Sequence, residues 1–311
     1  MFDTFRFILP GLGITIAVTL IALGLGLMLG IVMGICRAFG GTPLAQVAAA
    51  YSIVVRSLPV VVIIFILFFV ISELVDLSPF FSGAIACRVI EALSLEASPD
   101  TLLVFGRHMH PGESPVLMPS GSWQTPFGPL PVDEALVAEL MPNFHFKLES
   151  PRHFEPDNTI ELQLPFIKYF FPDASIVAVG VPPAESAMAI GRSAVEIGQR
   201  QHKRLAVIGS TDLTHHGANY GYSPHGHGPR AVARVREKND GPMVTAMEEM
   251  DASRVLTQAR DQHSACCAGA VAAALTAGHC LGAVRGETLA YTTSYAKSPG
   301  DSFVGYAGIL F

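Results

Sequence analysis

The chain has 311 residues, a formal net charge of −6, a pI near 6.0 and only 15% charged residues, with no basic block, so nucleic acid is excluded as its main partner. A mean hydropathy of +0.43 is too apolar for an ordinary soluble enzyme; the excess lies before residue 90, whereas all 11 histidines stand at or after His108. The five cysteines, Cys36, Cys87, Cys266, Cys267 and Cys280, form no CxxC pair and no disulfide-like framework, which suits a reducing compartment and leaves thiol chemistry open.

From Phe7 to Cys36 no residue is charged, a run longer than a bilayer-spanning helix needs and too long for a signal-peptide core. An Ala-rich stretch leads to Arg56, and PVVVIIFILFFVI from Pro59 to Ile71 is the second apolar run. These predict two transmembrane helices, about 8–36 and 59–75. The order of span, short basic loop, Tyr51, Arg56-Ser57-x-Pro59 and span resembles the N-terminal part of amino-acid ABC transporter permeases over about residues 1–78. That resemblance implies an inner-membrane location and an ABC ATPase subunit as partner. The further spans and coupling helix of such a permease are missing. Arg37 and Arg56 favour a cytoplasmic loop between the spans, which puts the rest of the chain outside. If the spans are absent or not inserted, the remainder is cytoplasmic.

Near Ser78-Pro79 the character changes. Ser82 to Leu95 reads as an amphipathic helix with Ser at its start. TLLVF at Thr101–Phe105 is a buried strand running into Gly106-Arg107-His108-Met109-His110, an imidazole cluster. A Gly/Pro/Ser-rich loop carries Trp123, expected to pack on the strand beside Thr125-Pro126, and residues 132–142 read as helix. TIELQLPFIKYFF mixes a helical pattern with Pro165, Ala174–Val181 is a strand, and Ala184–His202 is an amphipathic helix. It leads into the organising stretch, Leu205–Gly217, where the strand LAVI ends in Gly209-Ser210 and then Asp212, His215 and His216. Ligands bind beyond the carboxyl ends of strands in open α/β sheets, so these groups can converge on a metal or substrate. Residues 218–228 read as loop and 242–260 as helix. Gly269–Ala277 is a small-residue helix able to lie close to a sheet. Cys266-Cys267 occupies its start, where the helix dipole favours a thiolate; the alternative is a buried inert thiol. Strand, loop, strand closes the chain. Alternating strands and helices make this segment α/β.

The set GSTDLTHHG, TIELQLPFI, SACCAGAVAAAL and SFVGYAGILF resembles the Memo family, including protein B of the AmmeMemoRadiSam system, over about residues 79–311. The resemblance implies an α/β fold similar to class III extradiol dioxygenases and a metal site of two histidines and one cysteine. One divalent metal would bind, iron first and copper or zinc as alternatives, with redox or dioxygenase-like chemistry. The implied partners are the other AmmeMemoRadiSam proteins, a radical SAM protein among them. Carried over by motif, Cys266 matches the family cysteine, Asp212 and His215 its Asp-x-x-His, and Glu161 the Glu of its His-Ser-Ile-Glu element, whose His is Asn158 here. Counting back from Thr125-Pro126 and through Pro111 selects His108 as one imidazole ligand, whereas counting forward from Gly106 lands on Met109, whose thioether is a poor substitute for imidazole; His108 is preferred, with His110 the fallback. The family's other histidine falls in register on Asp76, so the resemblance implies a site impaired by loss of one imidazole, with Asp76 as a substitute ligand.

Three other readings stand beside this one: a truncated polar amino-acid permease subunit, an inactive fusion of two partial genes, and a zinc hydrolase using Asp212, His215 and His108. The absence of HExxH, GxSxG and a P-loop weighs against hydrolase and phosphate-loop chemistry.

Overall fold

The computed structural model describes residues 28, 30–38, 41, 43, 45–49, 78–150 and 152–311. The chain divides into two compact units, Met1–Val75 and Asp76–Phe311. In the first, residues 30–38 and 45–49 are helical. Most of the expected span over 8–36, all of that over 59–75, and Asp76 lie outside the described residues. Among the described residues no helix is long and apolar enough to cross a membrane.

The second unit is built on a five-stranded sheet ordered β5-β2-β6-β1-β7. Its strands are β1 (Thr101–Gly106), β2 (Val116–Leu117), β5 (Lys147–Leu148), β6 (Ser175–Gly180) and β7 (Leu205–Gly209). β1 lies between β6 and β7 and is parallel to both, Leu103 facing Val177 on one side and Val207 on the other. β2 joins β6 antiparallel, and β5 is parallel to β2.

The sequences of the three parallel strands explain their burial. TLLVF, SIVAV and LAVI are continuous apolar runs because helices cover both faces of the sheet. Alternation then sorts the side chains. Leu103, Phe105, Val177 and Val179 face one layer, formed by α2 (Glu134–Leu140), α5 (Glu185–Arg200) and α9 (Ala268–Cys280). Leu102, Val104, Ile176 and Ala178 face the other, formed by α1 (Ser78–Glu96), α3 (Asn158–Glu161) and α4 (Leu164–Phe170). The small residues of α9 let it sit close to α5: a Cβ on Gly191 would stand 2.3 Å from the Ala273 carbonyl oxygen. Asp133 ties the amino ends of this architecture together. It caps α2 through the Leu136 N–H at 3.2 Å, accepts from the Thr101 hydroxyl at 2.5 Å and pairs with Lys203.

β3 (Ser122–Thr125) and β4 (Gly128–Pro131) form a separate hairpin, in which Trp123 faces Leu130 rather than Thr125-Pro126 and packs against both cores. β8 (His215–His216), β10 (Phe303–Leu310) and β9 (Glu287–Thr293) make a three-stranded antiparallel sheet in that order. Two expected helices are divided. Over 159–171 Pro165 falls in the first turn of α4, separating it from α3. Over 242–260 the break is at Met250, whose φ of 58° leaves the helical region. Asp251 then caps a new helix, so α7 (Gly241–Glu248) and α8 (Ala252–Gln262) replace one element. α6 (Gly228–Val235) precedes them.

Candidate metal centre

β1 and β7 end side by side, and the amino terminus of α9 meets them there, at the sheet edge where α/β folds bind ligands. β1 delivers the imidazole. A Cβ on Gly106 would lie 2.5 Å from Ile160 Cγ1 and 2.7 Å from Thr159 Oγ1, so glycine lets α3 close on the strand end. Arg107 then takes a φ of 82°, unusual for a residue with a side chain. Its N–H donates to Thr159 Oγ1 at 2.6 Å, and its buried guanidinium pairs with Glu149 and Glu155, each at 2.9 Å. This turn aims His108 at the site.

Asp157 fixes the histidine. Its Oδ2 accepts the His108 backbone N–H at 3.0 Å and lies 3.1 Å from ring Nδ1, while Oδ1 accepts from Thr159 N at 2.9 Å and caps α3. Nε2 is left to face the cysteines. The Asp157 bond, and after it the Cys266 sulfur, push the His108 imidazole up to about 10. Burial acts to raise the Asp157 carboxyl, but the bonds from His108 and Thr159 outweigh it and hold that group below the usual carboxylate range.

Polar groups surround Cys266 on several sides. Its sulfur is 3.5 Å from Cys267 Sγ, 3.3 Å from the donating Asp212 N–H and 3.6 Å from Thr211 Oγ1. The Cys267 thiol foremost, then His108, Thr211 and the Asp212 N–H, hold Cys266 well below the ordinary thiol value against the opposing effect of burial. Cys267 moves the other way, raised by its bond to Cys266 and by burial, so the proton of the pair stays on Cys267. The arrangement thus favours an imidazolium beside a thiolate. One ligand atom from each of His108, Cys266 and Cys267 lies within 4.8 Å of the others, the one such group of three among the described residues.

Asp212 borders this group. Burial, and then the negative Cys266, push its carboxyl up to about 7, while Ser82 Oγ donates to it at 3.5 Å. His215 Nε2 is 3.8 Å from Asp212 Oδ2, and its ring packs edge-on to Tyr220. The Asp212 side also opens on a cavity of about 90 Å³ with Ser210, Gln163, Ile85, Ile208 and Tyr306 in its wall. His216 is fully buried against Phe303, and neither ring nitrogen has a partner among the described residues. Burial lowers its pKa.

The structure therefore brings together His108, Cys266, Asp212 and His215. His110 stands apart in an exposed turn, its N–H donating to Glu113 Oε2 at 2.6 Å. Glu161 accepts from the Asp157 N–H at 3.4 Å and lines a different cavity, with Arg107 and Trp123. Sequence reasoning missed Asp157, Thr211 and the part played by Cys267. Asp157 carried a signal as the helix cap before Asn158-Thr159; the other two carried none.

A family model described as Memo-like protein matches residues 76–310. A MEMO1 family protein of Pyrococcus horikoshii is 29% identical over 240 residues, covering 74% of this chain and 82% of that protein. A MEMO1 family protein of Thermococcus onnurineus is 30% identical over 241 residues and one of Methanosarcina barkeri 30% over 236, each with the same two coverages.

Proposed function

The chain belongs to the Memo-like protein family, and from that membership we propose that it binds one metal ion at the edge of its parallel sheet, through His108 and Cys266. The observation that carries this reading is the convergence of an imidazole nitrogen and two sulfurs within 4.8 Å, on segments held by the core. The donor set suits a transition metal: thiolate and imidazole are the ligands such ions prefer, and Asp157 on Nδ1 is the outer partner that usually orients a ligating histidine.

A bound ion would supply Lewis-acid or redox chemistry. The chain's own groups do the rest. Asp157 holds the ring so that Nε2 faces inward, and Asp212 N–H keeps the Cys266 sulfur in place. With its carboxyl raised to about 7, Asp212 is suited to take or give a proton at the cavity mouth, and His215 Nε2 stands 3.8 Å from it. The likeness to class III extradiol dioxygenases and the AmmeMemoRadiSam partners, including a radical SAM protein, belong to this proposal and rest on family resemblance.

The test is metal content per chain, by elemental analysis of the full chain purified without oxygen, beside His108→Ala and Cys266→Ala. Near-stoichiometric metal lost in both variants supports the reading. Full retention in both overturns it.

A further inference from the structure

We propose that Cys267 is the third protein ligand of this centre, giving a His-Cys-Cys set whose occupant is a thiophilic closed-shell ion, zinc first, rather than ferrous iron. The proposal rests on the metal-binding reading above and goes on to name its ligand and ion class.

Adjacent residues in an extended chain project to opposite sides. Here Cys267 has φ −126° and ψ 54°, and the two sulfurs come to one side, 3.5 Å apart. Two thiolates on one tetrahedral ion with bonds of about 2.3 Å stand about 3.8 Å apart, so a shift of a few tenths of an ångström admits the ion. A disulfide would need about 2.05 Å. The imidazole nitrogen completes a triangle within 4.8 Å, and among the described residues no carboxylate belongs to it. The Asp157 carboxylate is engaged with His108 and Thr159. Non-haem ferrous sites favour imidazole with carboxylate, whereas thiolate-rich sets select zinc and cuprous ions. Three protein ligands leave the fourth tetrahedral position open for water or substrate.

Cys267 is 3% exposed and packs in the core beside Ala270. Its thiol is therefore not a surface group.

The experiment uses the full chain under argon, titrated with Zn²⁺ for affinity and Cd²⁺ for the ultraviolet thiolate-to-metal charge-transfer band, in wild type, Cys267→Ser, Cys266→Ser, His108→Ala and Asp76→Ala. Cys280→Ala serves as the remote-thiol control. One ion per wild-type chain is expected. Cys267→Ser should halve the band and weaken zinc by more than about a hundredfold, beyond the 10–100-fold that loss of an outer partner costs. An undiminished band in Cys267→Ser, with binding still lost in Cys266→Ser and His108→Ala, keeps the metal centre and overturns Cys267 as ligand. Binding lost in Asp76→Ala but kept in Cys267→Ser overturns it too. No bound ion in any protein overturns the metal-binding reading itself.

Discussion

Asp212 and Cys266 clasp each other across the site: the Asp212 N–H donates to Cys266 Sγ at 3.3 Å, and the Cys266 N–H donates to the Asp212 carbonyl oxygen at 3.2 Å. The strand end after β7 and the start of α9 are thereby joined by one backbone–backbone bond and one bond to the Cys266 sulfur.

That arrangement predicts unequal cysteine reactivity. At pH 6 and without metal, iodoacetamide should label Cys266 at least about tenfold faster than Cys267, because the thiolate reacts and the buried thiol does not. Mass spectrometry of partly labelled protein reads the ratio, and saturating Zn²⁺ should suppress the faster reaction. Equal rates would contradict the assignment of the proton to Cys267.

Asp157→Asn keeps a side-chain oxygen to cap α3 but removes the charge facing His108. The expected outcome is a His108 imidazole titrating well below about 10, a metal affinity reduced about 10–100-fold, and a helix content unchanged within error. Proton NMR of the His108 ring and a zinc titration check the first two. An unaltered histidine titration would remove Asp157 as the orienting group.

The pH dependence of stability follows from the raised groups. His108, ordinarily near 6.5, is raised to about 10, so its stabilising contribution is full below about 6.5 and is lost as pH rises through about 10. Asp212, ordinarily near 3.8, is raised to about 7, so its contribution is full at acid pH and lost as pH rises through about 7. Asp100, held at about 2 by Arg204, acts in the opposite sense and only in acid. Cys266, held well below its ordinary 9.0, acts in the opposite sense to His108 up to about that pH, so from pH 5 to pH 10 the metal-free Tm should fall most steeply above about pH 9, and less steeply in His108→Gln. Apparent metal affinity should rise over the same range, because the imidazole must lose its proton to ligate. Differential scanning calorimetry and competition titrations at each pH read both trends.

Gly106→Ala tests the contact that positions the histidine turn. The added methyl would meet Ile160 and Thr159 at 2.5 and 2.7 Å, so α3 must shift, at a cost of about 1–3 kcal/mol. A fall in Tm together with weakened zinc binding is expected. A lower Tm with unchanged binding would show that the Arg107 turn keeps its aim without this contact.

The legible parts of the fold were those with local signatures. β1, β6 and β7 announce themselves as continuous apolar runs because both faces are covered, and the small residues of α9 give away its close approach. The placement of Cys266 at that helix start followed from the same run. What stayed hidden depends on distant partners. Nothing at Arg107 marks a left-handed residue, since its conformation is held by Thr159, Glu149 and Glu155. The carboxylate of Asp157 reads as a cap, yet one oxygen serves a histidine 49 positions away in sequence. The divided helix at Met250 has no glycine or proline to betray it. The choice between His108 and His110 turned on a one- or two-residue register that only the three-dimensional turn distinguishes.

The close seating of α9 against α5, where Gly191 admits the Ala273 carbonyl, bears on what holds the donors in place. Cys266 and Cys267 are presented by a helix anchored in the main core, and His108 by its central strand. Convergence is thus enforced by packing that an ion neither creates nor maintains. A chelator should empty such a centre and leave the circular dichroism spectrum as it was, unlike small zinc domains that collapse when stripped. On the proposed reading, ions can then be exchanged on a finished scaffold, and the thiolate-rich donor set rather than the fold selects among them.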